Sequence, residues 1–183
     1  MINQRRKNEI LWVVRILLTL AFLGVMSWIF SNSLMSAEQS SEQSSQVTQE
    51  VKDVIETVNP DVSFGGANEE EDFKILHNYV RDFAHFAEFA LLCALATWCV
   101  RSYTKKEAFF IIPVPLCVGV AFFDEYLQSF SNGRAKQLSD VLTDSLGACA
   151  GFVFAICAIF IVGVCISKRR KRQNALEGVE ERE

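Results

Sequence analysis

His77, Arg81, His85 and Glu88 recur at i, i+4, i+8 and i+11, so on a helix they share one face. Asp124 and Gln128 stand one turn apart with Glu125 adjacent, and Asp140, Asp144, Gly147 and Gly151 again follow a one-face spacing. Glycines on such a face let a second helix approach closely. Arg134 follows the turn signal Asn132-Gly133. Its guanidinium could fork two hydrogen bonds to a carboxylate of its own chain, or to a phosphate or carboxylate of a ligand. Ser139 precedes Asp140 as a helix cap would, and an acid near a helix N-terminus is favoured electrostatically. Together, His85 and the carboxylates Glu88, Asp124, Glu125, Asp140 and Asp144 offer acid–base partners or oxygen ligands. The spacing matches no closed zinc site, so neither a metal nor another cofactor is expected.

These groups sit in or beside apolar sequence. Half of the 183 residues are hydrophobic, 22% are charged, and the charges are unevenly spread. Segments 10–30, 83–100, 108–123 and 146–166 contain almost none. A soluble core would mix charge into the solvent face of every helix, and the longest polar stretch, 31–82, has too few apolar residues for a core of its own. A large soluble catalytic domain is therefore excluded. Backbone polar groups in lipid must be bonded internally, and continuous rather than alternating apolar blocks select helices over a barrel. A 21-residue helix rises about 31 Å, enough to cross the hydrocarbon layer. The expectation is an all-α polytopic membrane protein, one domain over 1–183, with spans near 10–30, 83–100, 108–127 and 146–166.

Lysine and arginine give the orientation. Arg5, Arg6 and Lys7 precede the first span, with Arg15 able to reach back toward them. Arg101, Lys105 and Lys106 lie between the second and third, and Lys168 to Arg172 follow the fourth. By contrast, 31–82 holds three bases against eleven acids. Both termini are expected in the cytoplasm, with 31–82 as a long outer loop and 167–183 as a basic cytoplasmic tail that touches anionic lipids. Ser31 and Ser33 offer a signal-peptide cleavage spacing, but the apolar stretch before them is long for that, so an uncleaved anchor is expected. All six cysteines fall in or at the edges of spans, where packing rather than disulfide pairing is expected. Within the loop, the Ser/Gln-rich 31–46 leads to Val47, Val51, Val54, Ile55 and Val58, the stripe of a short amphipathic helix that lies on the membrane or caps the bundle. Pro60 should stop it, and Gly65-Gly66 with the acidic run Glu69–Asp72 reads as a mobile connection.

The run DEYLQSFSNGRAKQLSDVLTDSLGACAG (124–151) resembles the signature of the VanZ-like membrane protein family: D-E-x-x-Q, then G-R, then S-D-V, then glycines after a polar residue. RDFAHFAEFALL (81–92) is similar to the family's histidine motif, and the Ser/Gln stretch to a segment its members carry after the first span. The likeness extends from about 10 to 166. Where members often carry Asn, this chain has Asp144. The family is named for a protein giving low-level resistance to the glycopeptide teicoplanin, which implies a role in the bacterial envelope, at the outer face of the plasma membrane.

Four roles follow from the residues and this likeness. The preferred one is binding: an outward polar pocket engages a lipid head group, a cell-wall precursor or a lipidated drug. Arg134 meets the anionic group, and Arg81, His85, Asp124, Glu125, Gln128, Asp140 and Asp144 complete the rim. The second is an intramembrane enzyme on a lipid-linked substrate, using His85, Glu88, Asp124 and Asp140. The third is structural, with Arg134–Asp140 and His85–Glu88 or His85–Asp124 pairs locking the bundle. The fourth is transport, for which four short helices in a monomer leave no through-path. No nucleic-acid motif, glycine-rich phosphate loop or nucleophile elbow is present.

Overall fold

In the computed structural model, which describes residues 2–59, 69–134 and 137–180, the chain is all-helical. Helix α1, Ile2–Ser33, has no side-chain feature to stop it before Ser33 and keeps most of its large apolar side chains on the outside. Helix α2 runs Ala37–Val58 and α3 Glu69–Tyr103. A single 3₁₀ turn, Glu107–Phe109, precedes α4, Pro113–Gln128, and α5 runs Leu138–Glu180. Among the described residues, four stretches are long and apolar enough to cross a membrane: Gln4–Ser33, Glu70–Tyr103, Glu107–Gln128 and Leu138–Arg172. Their outward Leu, Ile, Val and Phe side chains, such as Leu17, Phe83, Phe122 and Phe160, would be costly in water and are at home in lipid.

Helix α3 is the hub, packing against each of the other four helices. Its segment Phe89–Thr97 has one side buried continuously, with Phe89, Leu92 and Cys93 sealed against Ile29 of α1, Cys117 and Ala121 of α4, and Ala148 of α5. The closest seam is α3 against α5. Gly147 lies on the backbone of Phe86 and Gly151 on that of Ala90, so closely that a methyl at either position would fall on the facing carbonyl oxygen. The spacing of these two glycines therefore serves the close approach expected of it. At the far end of the bundle, Arg15 donates from Nε to the Ser102 carbonyl at 2.9 Å and stacks over Trp12 and Tyr103.

Several boundaries differ from the sequence expectation. The segment 31–82 is mostly helix rather than loop. Ser36 accepts from the Gln39 backbone N–H while the Gln39 side chain accepts from the Ser36 N–H, a capping box that starts α2 ten residues before the apolar stripe. The Ser/Gln stretch is thus the first half of a 22-residue helix. Glu and Gln are good helix formers, but without apolar periodicity they gave no signal. The acidic run Glu69–Asp72 is the first turn of α3, where negative charge favours the helix dipole. Pro60 and Gly65-Gly66 lie outside the described residues. The third span is not α-helical from 108. Pro113 occupies the first turn of α4, where its missing N–H costs nothing, and the 3₁₀ turn supplies the preceding length. The basic tail is no separate segment: α5 continues through Lys168–Arg172 to Glu180, with no Pro between them.

Candidate functional site

Seven of the eight buried polar side chains among the described residues (Ser33, Thr48, Asp124, Glu125, Gln128, Asp140 and Asp144) gather at one end of the bundle. There α1 and α4 finish, α5 begins and α3 passes through with its polar face. The helices bring the side chains together because α1 and α4 run one way while α3 and α5 run the other.

The α3–α5 seam carries two ion pairs one turn apart. Arg81 Nη2 stands 2.7 Å from Asp140 Oδ2, half-exposed and nearly buried respectively. One turn deeper, His85 Nδ1 and Asp144 Oδ1 are 3.3 Å apart. That contact lacks hydrogen-bond alignment, and both atoms are sealed without a hydrogen-bond partner among the described residues. Asp124, on α4, receives the Ser33 hydroxyl at Oδ1 and the Gln128 amide at Oδ2, the latter at 2.9 Å. Glu88 is held from α1, accepting from Trp28 Nε1 at 3.2 Å and Asn32 Nδ2 at 3.1 Å. Glu125 turns the other way and accepts the backbone N–H of Gln137, fixing the entry to α5.

A cavity of about 240 Å³ opens between α1, α2, α3 and α4. One part of its wall is polar, with Arg81, His85, Glu88, Asp124, Gln128 and Arg134; another is apolar, with Trp28, Met35, Val47 and Val80. A second, more polar cavity of about 150 Å³ adjoins it and shares Arg81, Gln128 and Arg134. His77 lines this second space and faces the Thr48 hydroxyl at 3.4 Å. Arg134 sits on the loop whose Gly133 takes the left-handed φ of +79°, the conformation that glycine adopts most easily. The loop is tied down by Ala37 N–H to the Asn132 carbonyl at 3.0 Å and by the Ser131 hydroxyl to the Ser33 carbonyl at 2.8 Å. The Arg134 guanidinium has no hydrogen-bond or ion-pair partner among the described residues. Burial, and then the charge of Arg81, draw its pKa below the usual arginine range, although an arginine stays charged there.

Of the residues singled out from sequence, Arg81, His85, Glu88, Asp124, Gln128 and Arg134 therefore converge on one cavity. Asp140 and Asp144 stand behind its wall as partners of Arg81 and His85, and Glu125 belongs to the loop. The pairing differs from the one expected: Asp140 takes Arg81 rather than Arg134, and His85 takes Asp144 rather than Glu88 or Asp124. Trp28, Asn32 and Ser33 were missed, as were Ser40, Gln43 and Ser44 of α2, which line the cavity. The signal for the first group was present, since Trp28 and Asn32 share a face at i, i+4 where an apolar span turns polar.

The sequence profile described as VanZ/LLP1 matches residues 18–162, most of the chain and nearly the stretch over which the motifs resemble that family. No curated protein matches, and no solved structure matches.

Proposed function

The chain belongs to the VanZ/LLP1 family, and from that premise we propose that it is a plasma-membrane protein of the bacterial envelope whose cavity binds an anionic, lipid-attached group at the outer face. The occupant is a lipid head group, a cell-wall precursor or a lipidated glycopeptide, and binding lowers susceptibility to teicoplanin-type drugs. The outward placement rests on the basic residues flanking the apolar stretches, which favour the cytoplasmic side for both termini. One observation carries the binding role: the Arg134 guanidinium, which has no partner among the described residues, faces a cavity with a polar wall and an apolar wall. A partly buried cation without a partner among the described residues favours an incoming phosphate or carboxylate, while Trp28, Met35 and Val47 suit the chain that bears it.

The test is drug susceptibility. Deleting the gene should raise susceptibility to teicoplanin and lipoglycopeptides, overexpression should lower it, and Arg134→Ala at equal expression and thermal stability should abolish the overexpression effect. No change with any of these drugs, on deletion and on overexpression alike, would refute the resistance role. The catalytic alternative is favoured by a specific contact, His85 beside Asp144 with Asp124 close by, an arrangement able to accept or deliver a proton. Turnover of a lipid-linked phosphate or acyl substrate by the purified protein, lost in His85→Gln, would replace the binding role with an enzymatic one.

A further inference from the structure

We propose that His85, Asp124 and Asp144 bind a divalent cation of the zinc or manganese kind beneath the cavity, although their spacing in sequence gives no hint of a metal site. One ligand atom from each of the three residues lies within 4.8 Å of the other two. Two donors held ~2.1 Å from one metal stand roughly 3.0–3.4 Å apart between octahedral and tetrahedral angles. The His85 Nδ1–Asp144 Oδ1 distance of 3.3 Å falls in that range. Those two atoms face each other without making a hydrogen bond, sealed from solvent and unpartnered among the described residues. A buried acceptor and a buried imidazole nitrogen left in this way are costly unless something stands between them.

Charge leads to the same ion. Asp124 is 1% exposed and Asp144 2%. With a neutral imidazole the three side chains carry two negative charges, which a divalent cation balances. Neighbouring groups supply only part of this balance: the Arg81 charge is spent on Asp140 at 2.7 Å, and Arg134, which lines the same cavity, sets one positive charge against two negative ones. Asp124 is also oriented from behind, as metal ligands require. Ser33 and Gln128 each donate to one oxygen of Asp124, leaving further lone pairs on both. An imidazole with two carboxylates suits zinc or manganese better than a soft, thiolate-seeking ion. Three protein ligands leave at least one coordination position open. Since His85 and Asp124 both line the cavity, that position faces it, and an anionic oxygen of a cavity ligand would fill it beside Arg134. This last step rests on the binding role proposed above; the cation site itself does not.

The full chain, purified in detergent and stripped with a chelator, is offered Zn²⁺ or Mn²⁺. Bound metal is counted by elemental mass spectrometry, and bound Mn²⁺ is followed by its paramagnetic resonance spectrum. Near-stoichiometric binding is expected, with a thermal transition that rises as metal is added. Asp144→Asn and His85→Gln should lose it, Gln128→Leu should weaken it by about ten- to a hundredfold, and Asp82→Asn, an exposed carboxylate on the same helix, should bind as the wild type does. Folded wild-type protein that retains neither metal would overturn the proposal and leave a plain His–Asp ion pair. Wild-type affinity in folded His85→Gln would overturn it equally, and that variant decides the matter should Asp144→Asn fail to fold. No drug or lipid enters the assay, so its failure and the failure of the binding role are separately visible.

Discussion

Gly151→Ala adds one methyl group at the tightest point of the α3–α5 seam. The new carbon would stand 2.6 Å from the Ala90 carbonyl carbon and 2.7 Å from its Cα, and nearer still to the carbonyl oxygen. Ordinary contact begins at 3.4 Å, and the obstructing atoms are helix backbone, which cannot rotate aside as a side chain would. Restoring that contact from 2.6 Å therefore requires the two helices to part locally by at least roughly 0.8 Å, and by more at the oxygen. Overpacking of this kind costs about 1–3 kcal/mol. The gain in helix propensity from replacing glycine, at most about 1 kcal/mol, offsets only part of it. Gly163→Ala on the same helix is the matched control, because nothing lies within 4 Å of its new methyl group. It gains the propensity without the clash.

The assay is thermal unfolding of the two variants and the wild type in one detergent. Gly151→Ala should fall below wild type, and Gly163→Ala should match or exceed it. Because both ion pairs, Arg81–Asp140 and His85–Asp144, bridge the same seam about two to three turns away, Gly151→Ala should also weaken metal retention in the protein that remains folded. Equal stability of Gly151→Ala and Gly163→Ala would refute the reasoning, since it would mean that α5 does not rest on the α3 backbone.

Asp140→Asn leaves Arg81 facing a neutral amide. With Arg81 36% exposed and Asp140 10%, the cost should fall between that of a surface pair and a buried one, about 1–3 kcal/mol, read as a lower midpoint of thermal unfolding; no measurable change would place the pair among the surface kind. Ser36→Ala removes the side-chain half of the capping box and should destabilise the start of α2 by about 1 kcal/mol. Faster hydrogen exchange confined to the first turns of α2, with α3 and α5 unchanged, is the expected signature, and unchanged exchange at Gln39 would count against the cap.

Much of the fold was legible because lipid imposes a simple requirement, and the four apolar stretches read from sequence lie inside the four segments long and apolar enough to cross a membrane. The helix ends were not legible. Apolar periodicity reports burial, so it is silent where a helix is made of Ser, Gln and Glu, as over 37–46, or of Lys and Arg, as over 168–172. The site was legible face by face, since i, i+4 spacing groups Arg81 with His85, and Asp140 with Asp144. Which face meets which was beyond reach from spacing alone. That depends on the stagger of α3 against α5, and the two glycines set it by seating on Phe86 and Ala90. Sliding α5 by one turn would pair His85 with Asp140 and leave Arg81 without its carboxylate. The contribution of α1 was hidden for a different reason, since Trp28, Asn32 and Ser33 are ordinary residues at the end of a span until Glu88 and Asp124 face them.

The purely structural role, in which the polar residues only lock the helices, can be weighed residue by residue. Arg81 with Asp140 joins α3 to α5, Glu88 with Trp28 and Asn32 joins α3 to α1, and Glu125 with the Gln137 backbone fixes the last loop. These contacts account for Arg81, Glu88, Asp140 and Glu125, and they hold together the helices that need holding. They do not account for Arg134, which has no partner among the described residues, or for the misaligned contact of His85 with Asp144. Nor do they account for the second buried carboxylate, Asp124, beside that contact. Ion pairs of that depth add little stability over apolar packing, so four charged or ionisable groups beyond what the bundle needs would be a net burden on folding. Three of them, His85, Asp124 and Arg134, line one cavity with Asp144 directly behind His85, which is what a binding site requires and a lock does not, and Arg134→Ala separates the two roles: a lock predicts loss of stability, whereas a site predicts loss of function at full stability.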